Sequence, residues 1–290
     1  MKNNPSLHFL FPAAVVLLLA VLLIWILWAN TALTVSSFTL KSDSVPEAFS
    51  GFRIAQISDL HNAEFGEGNT KLLHRLEENA PDIIVITGDL IDSRRPKIET
   101  ALHFVREAAK RTPVYYVSGN HEARLPQYNV LRNGLKEAGA IVLENKAVPL
   151  KRSGVEVTLV GLSDPKFVKW RNVTNADNAA IIRPPLEKLL PPDRSYSVVL
   201  SHRPEQFETY AACGADLVLT GHAHGGQFRF PFVGGLFAPN QGFFPKYDSG
   251  LYTEGKTNMI VSRGLGASVI PVRINNRPEL IIAELRHADA

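Results

Sequence analysis

The sequence predicts an α/β domain carried behind one membrane-spanning helix. Two patterns predict the domain. Short β-branched runs stop abruptly in Gly and polar residues, and amphipathic helical stretches lie between them. A third observation predicts the span. Every residue from Phe9 to Ala29 is apolar, and no Asp, Glu, Lys or Arg falls between Lys2 and Lys41. With 45% hydrophobic and 20% charged residues over 290 positions, the chain is neither disordered nor collagen-like. Its net charge of +3, with no basic block, argues against a nucleic-acid partner. The single cysteine, Cys213, excludes an internal disulfide framework and a multi-cysteine zinc site.

The span comes first. Roughly 20 apolar residues cross a bilayer core, so residues 9–29 suffice. Trp25 and Trp28 stand near its end, where amphipathic rings favour the headgroup level. A cleaved signal peptide is the alternative, but its apolar stretch is usually about 7–15 residues and ends in an A-x-A-like site. Here Ala29-Asn30-Thr31 lacks the second alanine, so residues 1–30 are expected to be an uncleaved single-pass anchor in the cell membrane. Lys2 and the terminal amine precede it, which leans the rest of the chain to the non-cytoplasmic side. Residues 31–50, broken by Pro46, read as a connector, and residues 51–290 as one domain.

Within that domain, Phe52–Ile57, Asp82–Thr87, Val114–Val117, Tyr196–Leu200 and Asp216–Thr220 read as buried strands. Asn69–Ala80, Ile98–Arg111 and Val130–Ala138 read as helices; Leu72, Leu73 and Leu76 have helical spacing, and Pro81 stops the first. Ile141–Leu150 and Glu156–Gly161 suggest antiparallel strands turning at Ser153-Gly154, and Asn258–Ser262 and Glu279–Leu285 two more strands.

The residues that close the strands carry the chemistry. The five buried runs end on Asp59-Leu60-His61, Gly88-Asp89, Gly119-Asn120-His121-Glu122, Ser201-His202 and Gly221-His222-Ala223-His224. Ligands bind at the carboxyl ends of strands in α/β sheets, so these side chains are expected in one place. Imidazole and carboxylate suit Mn, Fe, Co or Zn, with no thiolate to favour structural zinc. Asp59 and His61, like His222 and His224, are two residues apart, which in extended backbone points both to one side. Seven candidate ligands exceed one tetrahedral ion, and a bridging carboxylate would join two ions about 3.5–4 Å apart. Singly, each element has a plainer explanation as a turn or a structural histidine; the ordered set of five does not. His8, His74, His103 and His287 fall outside the pattern and receive no role.

These motifs, in this order, resemble the signature of the calcineurin-like metallophosphoesterases. The stretch from Gly225 to Pro239, with Arg263-Gly264-Leu265-Gly266 and Arg277-Pro278-Glu279, is similar to the family's bacterial membrane-associated YkuE/YaeI-like branch. The resemblance covers residues 51–286 and implies a four-layer αββα sandwich. It implies one divalent ion on Asp59, His61, Asp89 and His224, and a second on Asp89, Asn120, His202 and His222, with Mn, Zn or Fe as candidates. It makes His121 a general acid beside the substrate. The implied activity is metal-dependent hydrolysis of a phosphodiester or pyrophosphate bond by metal-bound hydroxide. Glu122 and Asp164 are candidate supporting groups, although a turn before Pro165 explains Asp164 as well. A metal-dependent amidohydrolase would place its His-x-His on the first strand. A non-catalytic scaffold with this fold would lack ligands or the acid.

One stretch remains. Six of the 15 Phe lie between Phe228 and Phe244. Alternating Phe228, Phe230 and Phe232 fit a strand packed into the core. Leu236, Phe237, Phe243 and Phe244, with Gly234-Gly235 and Pro239–Gly242 among them, fit an apolar loop beside the site, which would suit a lipid-linked or envelope substrate.

Overall fold

The computed structural model describes residues 5–168, 174–267 and 272–289, with side chains from Phe11 onward. Lys2, on which the orientation reading leans, lies outside them. The chain opens with the apolar helix α1 (Pro5–Thr31) and strand β1 (Thr34–Ser42). There follow β2 (Phe52–Ile57), α2 (Thr70–Asn79), β3 (Ile83–Thr87), α3 (Ile98–Ala109) and β4 (Val114–Val117). Next come α4 (Asn120–Arg124), α5 (Tyr128–Glu137), β5 (Ala140–Val142), β6 (Lys146–Arg152), β7 (Val155–Gly161) and α6 (Asn175–Leu189). After β8 (Ser197–Leu200), α7 (Phe207–Cys213) and β9 (Leu217–Thr220) stand four two-residue strands. They are β10 (Arg229–Phe230), β11 (Gly234–Gly235), β12 (Phe237–Ala238) and β13 (Gly242–Phe243). Finally come β14 (Gly250–Glu254), β15 (Thr257–Val261) and β16 (Glu279–His287).

Two six-stranded sheets form, in the orders β1-β16-β2-β3-β4-β5 and β14-β15-β9-β8-β7-β6. Their pairings are mixed: β2, β3, β4 and β5 run parallel, as do β7, β8, β9 and β15, while β16 meets β2 and β6 meets β7 antiparallel. Successive strand residues point to opposite faces, so each central strand feeds two cores. Ile54, Val85 and Val117 meet Leu159, Val198, Leu200, Leu217 and Leu219 between the sheets. Ala55, Ile57, Ile84 and Ile86 face Leu72, Leu76, Leu102, Val105, Leu131 and Leu135 on α2, α3 and α5. Val199 and Val218 face Ile182, Leu186, Phe207 and Tyr210 on α6 and α7. This is the expected αββα sandwich. It brings the carboxyl ends of β2, β3, β4, β8 and β9 together.

Four local expectations are corrected. The supposed connector, residues 31–50, holds β1, which pairs along its whole length, Thr34 to Ser42, with Glu279 to His287 of β16. Its sequence alternates, but with Ser, Thr and Lys on the open face, because it is an edge strand. Ile141–Leu150 is not one strand: β5 ends at Val142 beside β4, and β6 begins at Lys146 in the other sheet. Helix α6 is one the sequence hides, since Pro184 and Pro185 lie inside it and an interior proline costs about 3 kcal/mol. Opposing that cost, Thr174 and Asp177 close a capping box at 2.9–3.1 Å, and Ile182 and Leu186 are buried. Lastly, Phe230 and Phe232 are exposed, so that segment is not a core strand.

Within α1, residues Phe11–Thr31 form a helix long and apolar enough to cross a membrane. At 1.5 Å per residue, 21 residues span about 32 Å.

A candidate metal centre at the strand ends

All seven candidate ligands and His121 are brought together and buried. Asp59 and His61 follow β2, Asp89 follows β3, and Asn120 and His121 open α4 after β4. His202 follows β8, and His222 and His224 follow β9. The i, i+2 pairs Asp59/His61 and His222/His224 do converge, but not through extended backbone. Asp59, His61, Asp89, His222 and His224 have φ of 50°, 46°, 51°, 65° and 50°, the left-handed region rather than extended chain. Such non-glycine conformations cost about 1–3 kcal/mol each and persist only where the surroundings enforce them. The enforcement is visible. Asp59 N–H donates to the Gly88 carbonyl at 3.0 Å and His61 N–H to the Asp89 carbonyl at 3.0 Å. A side chain on Gly119 would strike the Asp89 carboxylate, and one on Gly221 the Asp59 carboxylate.

The candidate ligand atoms form three overlapping trios: Asp59, His61 and His224; His61, Asp89 and His121; and Asp89, His202 and His222. In the first, His224 Nε2 is 3.3 Å from Asp59 Oδ1 and 3.2 Å from His61 Nε2. In the third, with His222, His202 Nε2 is 3.2 Å from Asp89 Oδ2. The same Asp89 Oδ2 is 3.7 Å from His61 Nε2 of the first.

Burial holds the His61 and His224 imidazoles down to about 3, and burial together with Arg203 holds His222 well below its ordinary value. All three are neutral and offer a lone pair. Burial also opposes charge on His202, but Asp89 and then Asp59 outweigh it and push that imidazole up to about 10. Asp89, despite burial, is held well below the usual carboxylate range by His202. A cation fits this set. Asn120 Oδ1 is buried with no hydrogen-bond partner among the described residues, and Asp59 and Asp89 place two buried carboxylates among the imidazoles. Buried acceptors and carboxylates of this kind are costly unless a positive charge satisfies them.

A supporting layer surrounds the ligands, and the sequence disclosed little of it. Glu122 is fully buried and accepts the N–H groups of Asp89, Leu90 and Gly119 at 2.8, 2.8 and 2.7 Å. Burial, then the Asp89 charge, pushes its carboxyl up to about 7. Asp164 both caps the turn at Lys166 N and points inward. It takes a two-pronged ion pair from Arg203, at 2.6 and 2.9 Å. Arg203 Nη1 lies 2.9 Å from His222 Nε2 and donates to Asn240 Oδ1 at 3.1 Å. Thr87 O, 2.8 Å from His202 Nδ1, fixes that ring. Asn276 Nδ2 donates to the His224 carbonyl at 2.7 Å. The buried Arg273 donates to the Arg263 and Gly266 carbonyls. Arg203 carried one signal, its place directly after His202; Asn240, Arg273 and Asn276 carried none. A cleft of about 990 Å³ lies elsewhere, lined by Ser197, Cys213, Asp216 and Thr257 at the opposite, amino-terminal ends of β8, β9 and β15.

The calcineurin-like phosphoesterase profile matches residues 52–226. The metallophosphoesterase YkuE of Bacillus subtilis is 28% identical over 86% of this chain and 84% of its own length. The phosphodiesterase YaeI of Escherichia coli K12 is 30% identical over 81% of this chain and 82% of its own. Among solved structures, TT1561 of Thermus thermophilus superposes with a TM-score of 0.50 at 13% identity, covering 74% of this chain and 90% of that one, which speaks for the fold alone. The chain belongs to the calcineurin-like phosphoesterase family and is a metal-dependent phosphohydrolase. The amidohydrolase alternative falls with that assignment.

Proposed function

We propose that this chain is a single-pass membrane enzyme that hydrolyses a phosphodiester or pyrophosphate bond at a dinuclear metal centre. One observation carries the reading: Asp89 Oδ2 lies 3.2 Å from His202 Nε2 and 3.7 Å from His61 Nε2, within reach of both the His202–His222 and the Asp59–His61–His224 groups, as a bridging carboxylate would have to be. Asp59, His61 and His224 would hold one ion with Asp89, and Asn120, His202 and His222 the other. With Nε2–H donating to Asn240 Oδ1, His222 would offer Nδ1 to the ion. Nitrogen and oxygen donors suit Mn, Zn or Fe. Two such ions neutralise phosphoryl oxygens and lower the pKa of a bound water.

The remaining steps belong to the protein. Glu122 and Gly119 hold Asp89 in place, and Thr87 O aims His202 Nε2 at the centre. His121 acts as the general acid. In that role His121 would act as the imidazolium, its Nδ1–H facing Asp92 Oδ1 at 3.4 Å and Ser93 Oγ at 3.2 Å, with the Nε2 proton passed to the leaving oxygen and the ring left neutral. Residues 11–31 would anchor the protein, the folded domain would begin at β1, and the domain would face the non-cytoplasmic side. The test is metal analysis of the purified full chain with turnover of bis(4-nitrophenyl) phosphate. Two ions per chain and hydrolysis abolished by chelation are expected. One ion or none at saturation, with hydrolysis intact, would overturn the dinuclear reading.

A further inference from the structure

We propose that the hairpin β12–β13 and the Phe230–Val233 tip form a membrane-contact surface of the bilayer that holds α1, and that the centre therefore takes a phosphoester carried on an amphiphile. The inference rests on the anchor and phosphohydrolase reading above and names the substrate class for it. Phe232 is fully exposed, Phe243 and Phe244 are 71% and 62% exposed, and Phe230, Val233 and Phe237 are also exposed. Phe237 and Phe243 pack edge to face at 5.4 Å, and the two hairpins that carry these side chains are joined by Leu236 N–H donating to the Phe228 carbonyl at 2.8 Å. Exposed aromatic side chains grouped on neighbouring hairpins mark an interaction surface.

Two physical links identify what covers it. The first ties the patch to the centre. Asn240, between β12 and β13, reaches His222 Nε2 at 3.2 Å and Arg203 at 3.1 Å. The rings of Phe237 and Phe243 thus stand on the hairpin whose turn touches a candidate ligand. The second ties the patch to the end of the span. Asn30 exchanges hydrogen bonds with the Arg273 backbone at 2.7 and 3.2 Å, and the Arg277 guanidinium lies over the Trp28 ring at 4.6 Å. The next residue, Ile274, forms a bridge with Phe228 and accepts Arg229 N–H at 3.0 Å. Phe232 is then four residues away, at most ~13 Å of extended chain. The domain is thereby fastened to its span by paired backbone, with the patch on the fastened segment. No Asp or Glu occurs between Asp216 and Asp248, and the flanking Arg229 and Lys246 are neutralised by Asp248 at 2.9 Å and Glu208 at 2.7 Å. Exposed aromatic rings with no uncompensated carboxylate among them suit the interfacial region of a bilayer.

The test uses the full chain in vesicles of phosphatidylcholine and phosphatidylglycerol. In a Cys213→Ser background, Phe232→Cys, Phe243→Cys and the control Ser153→Cys carry a polarity-sensitive fluorophore; Ser153 is exposed at the far, amino-terminal end of β7. Blue-shifted emission and at least about twofold quenching by a lipid spin-labelled near the headgroup are expected at 232 and 243, and neither at 153. Probes at 232 and 243 as aqueous as that at 153 would overturn the surface. If such chains also dimerise in detergent, the patch belongs to a second copy. A second measurement compares hexadecyl and ethyl 4-nitrophenyl phosphate, which share the reacting bond. The pair Phe232→Ser and Phe243→Ser should lower kcat/KM for the hexadecyl ester about tenfold in vesicles, the effect of losing apolar contact, and leave the ethyl ester unchanged. Equal effects on both esters would overturn the amphiphile reading while phosphohydrolysis stood. A wild-type chain loaded with manganese that cleaves neither ester would overturn the activity itself, and the probes would still report the surface.

Discussion

The two flanks of the centre are built from the same residue types but supported differently. The Asp89–His202–His222 flank is braced from inside the domain. Glu122 clamps the Asp89 turn, and the buried Arg203–Asp164 pair stands behind His222. The Asp59–His61–His224 flank leans on its neighbours' backbone. Ser58 Oγ donates to Asp59 at 2.6 Å, and Asn276 holds the His224 carbonyl from the segment that also grips the end of α1. Support by buried charge is rigid and intolerant of single losses. Support by a tethered loop transmits what happens at the tether. The second flank is therefore expected to govern folding, and the first to respond to the membrane anchor.

The largest effect comes where the flanks meet. Asp89→Ala should lose both ions and lower turnover by about 10³–10⁶-fold, because groups that act as a unit fail together. Metal analysis beside the turnover assay checks it; a variant with two ions and normal turnover would dissolve the distinction between shared and separate ligands. His121 lies beside both flanks, grouped with His61 and Asp89, and is proposed as the acid and not as a ligand. His121→Ala should keep both ions and slow alkyl phosphodiesters by about 10²–10⁴-fold, with little loss on nitrophenyl esters, whose leaving groups need no proton. Equal loss on the two classes would remove it as the acid.

Breaking the brace of the second flank comes next. Arg203→Met leaves Asp164 buried without its partner, and such a loss costs about 3–5 kcal/mol of stability. The double variant Arg203→Met, Asp164→Leu should recover most of that in urea unfolding, while the ion at His202 and His222 still binds more weakly. Full recovery of metal affinity would show that the pair serves folding alone.

How much of this the sequence disclosed follows the same division. The ligands were legible because each closes a strand, and a strand's end is marked by the change from Val/Ile to Gly, Asp or His. The alternation of Val198, Val199 and Leu200, each buried, gave the sandwich its two-sided strands. Strand β1 was hidden because an edge strand needs apolar residues on one face only, and α6 because its packing overrides two prolines. The left-handed ligands, Arg273 and Asn276 were not readable at all. Their positions follow from contacts between residues up to 243 apart, such as Asn30 with Arg273, and no local pattern encodes those.

The smallest expected effects test the tethered flank. Asn276→Ala removes donors to the His224 and Gln227 carbonyls at 2.7 and 3.1 Å, and Asn276 is fully buried. Outer supports of a metal ligand are worth about 10–100-fold in affinity, so the ion at Asp59, His61 and His224 should weaken by that factor in competition with a fluorescent chelator. The ion at His202 and His222 should hold. Asn30→Ala acts one step further out. It removes the two partly buried bonds to Arg273 that fasten the span to residues 272–278. A net bond is worth about 0.5–1.5 kcal/mol, and only the part that reaches Asn276 is felt at the ion. A weakening of about twofold to fivefold at the first flank, none at the second, and the same shift on deleting residues 1–33 would establish that the anchor tunes one half of the centre. The deletion leaves β1 whole from Thr34, so the domain's sheet is not the variable being changed. Equal weakening of both ions would mean that the two flanks respond as one unit, and no weakening of either that the tether ends at Arg273.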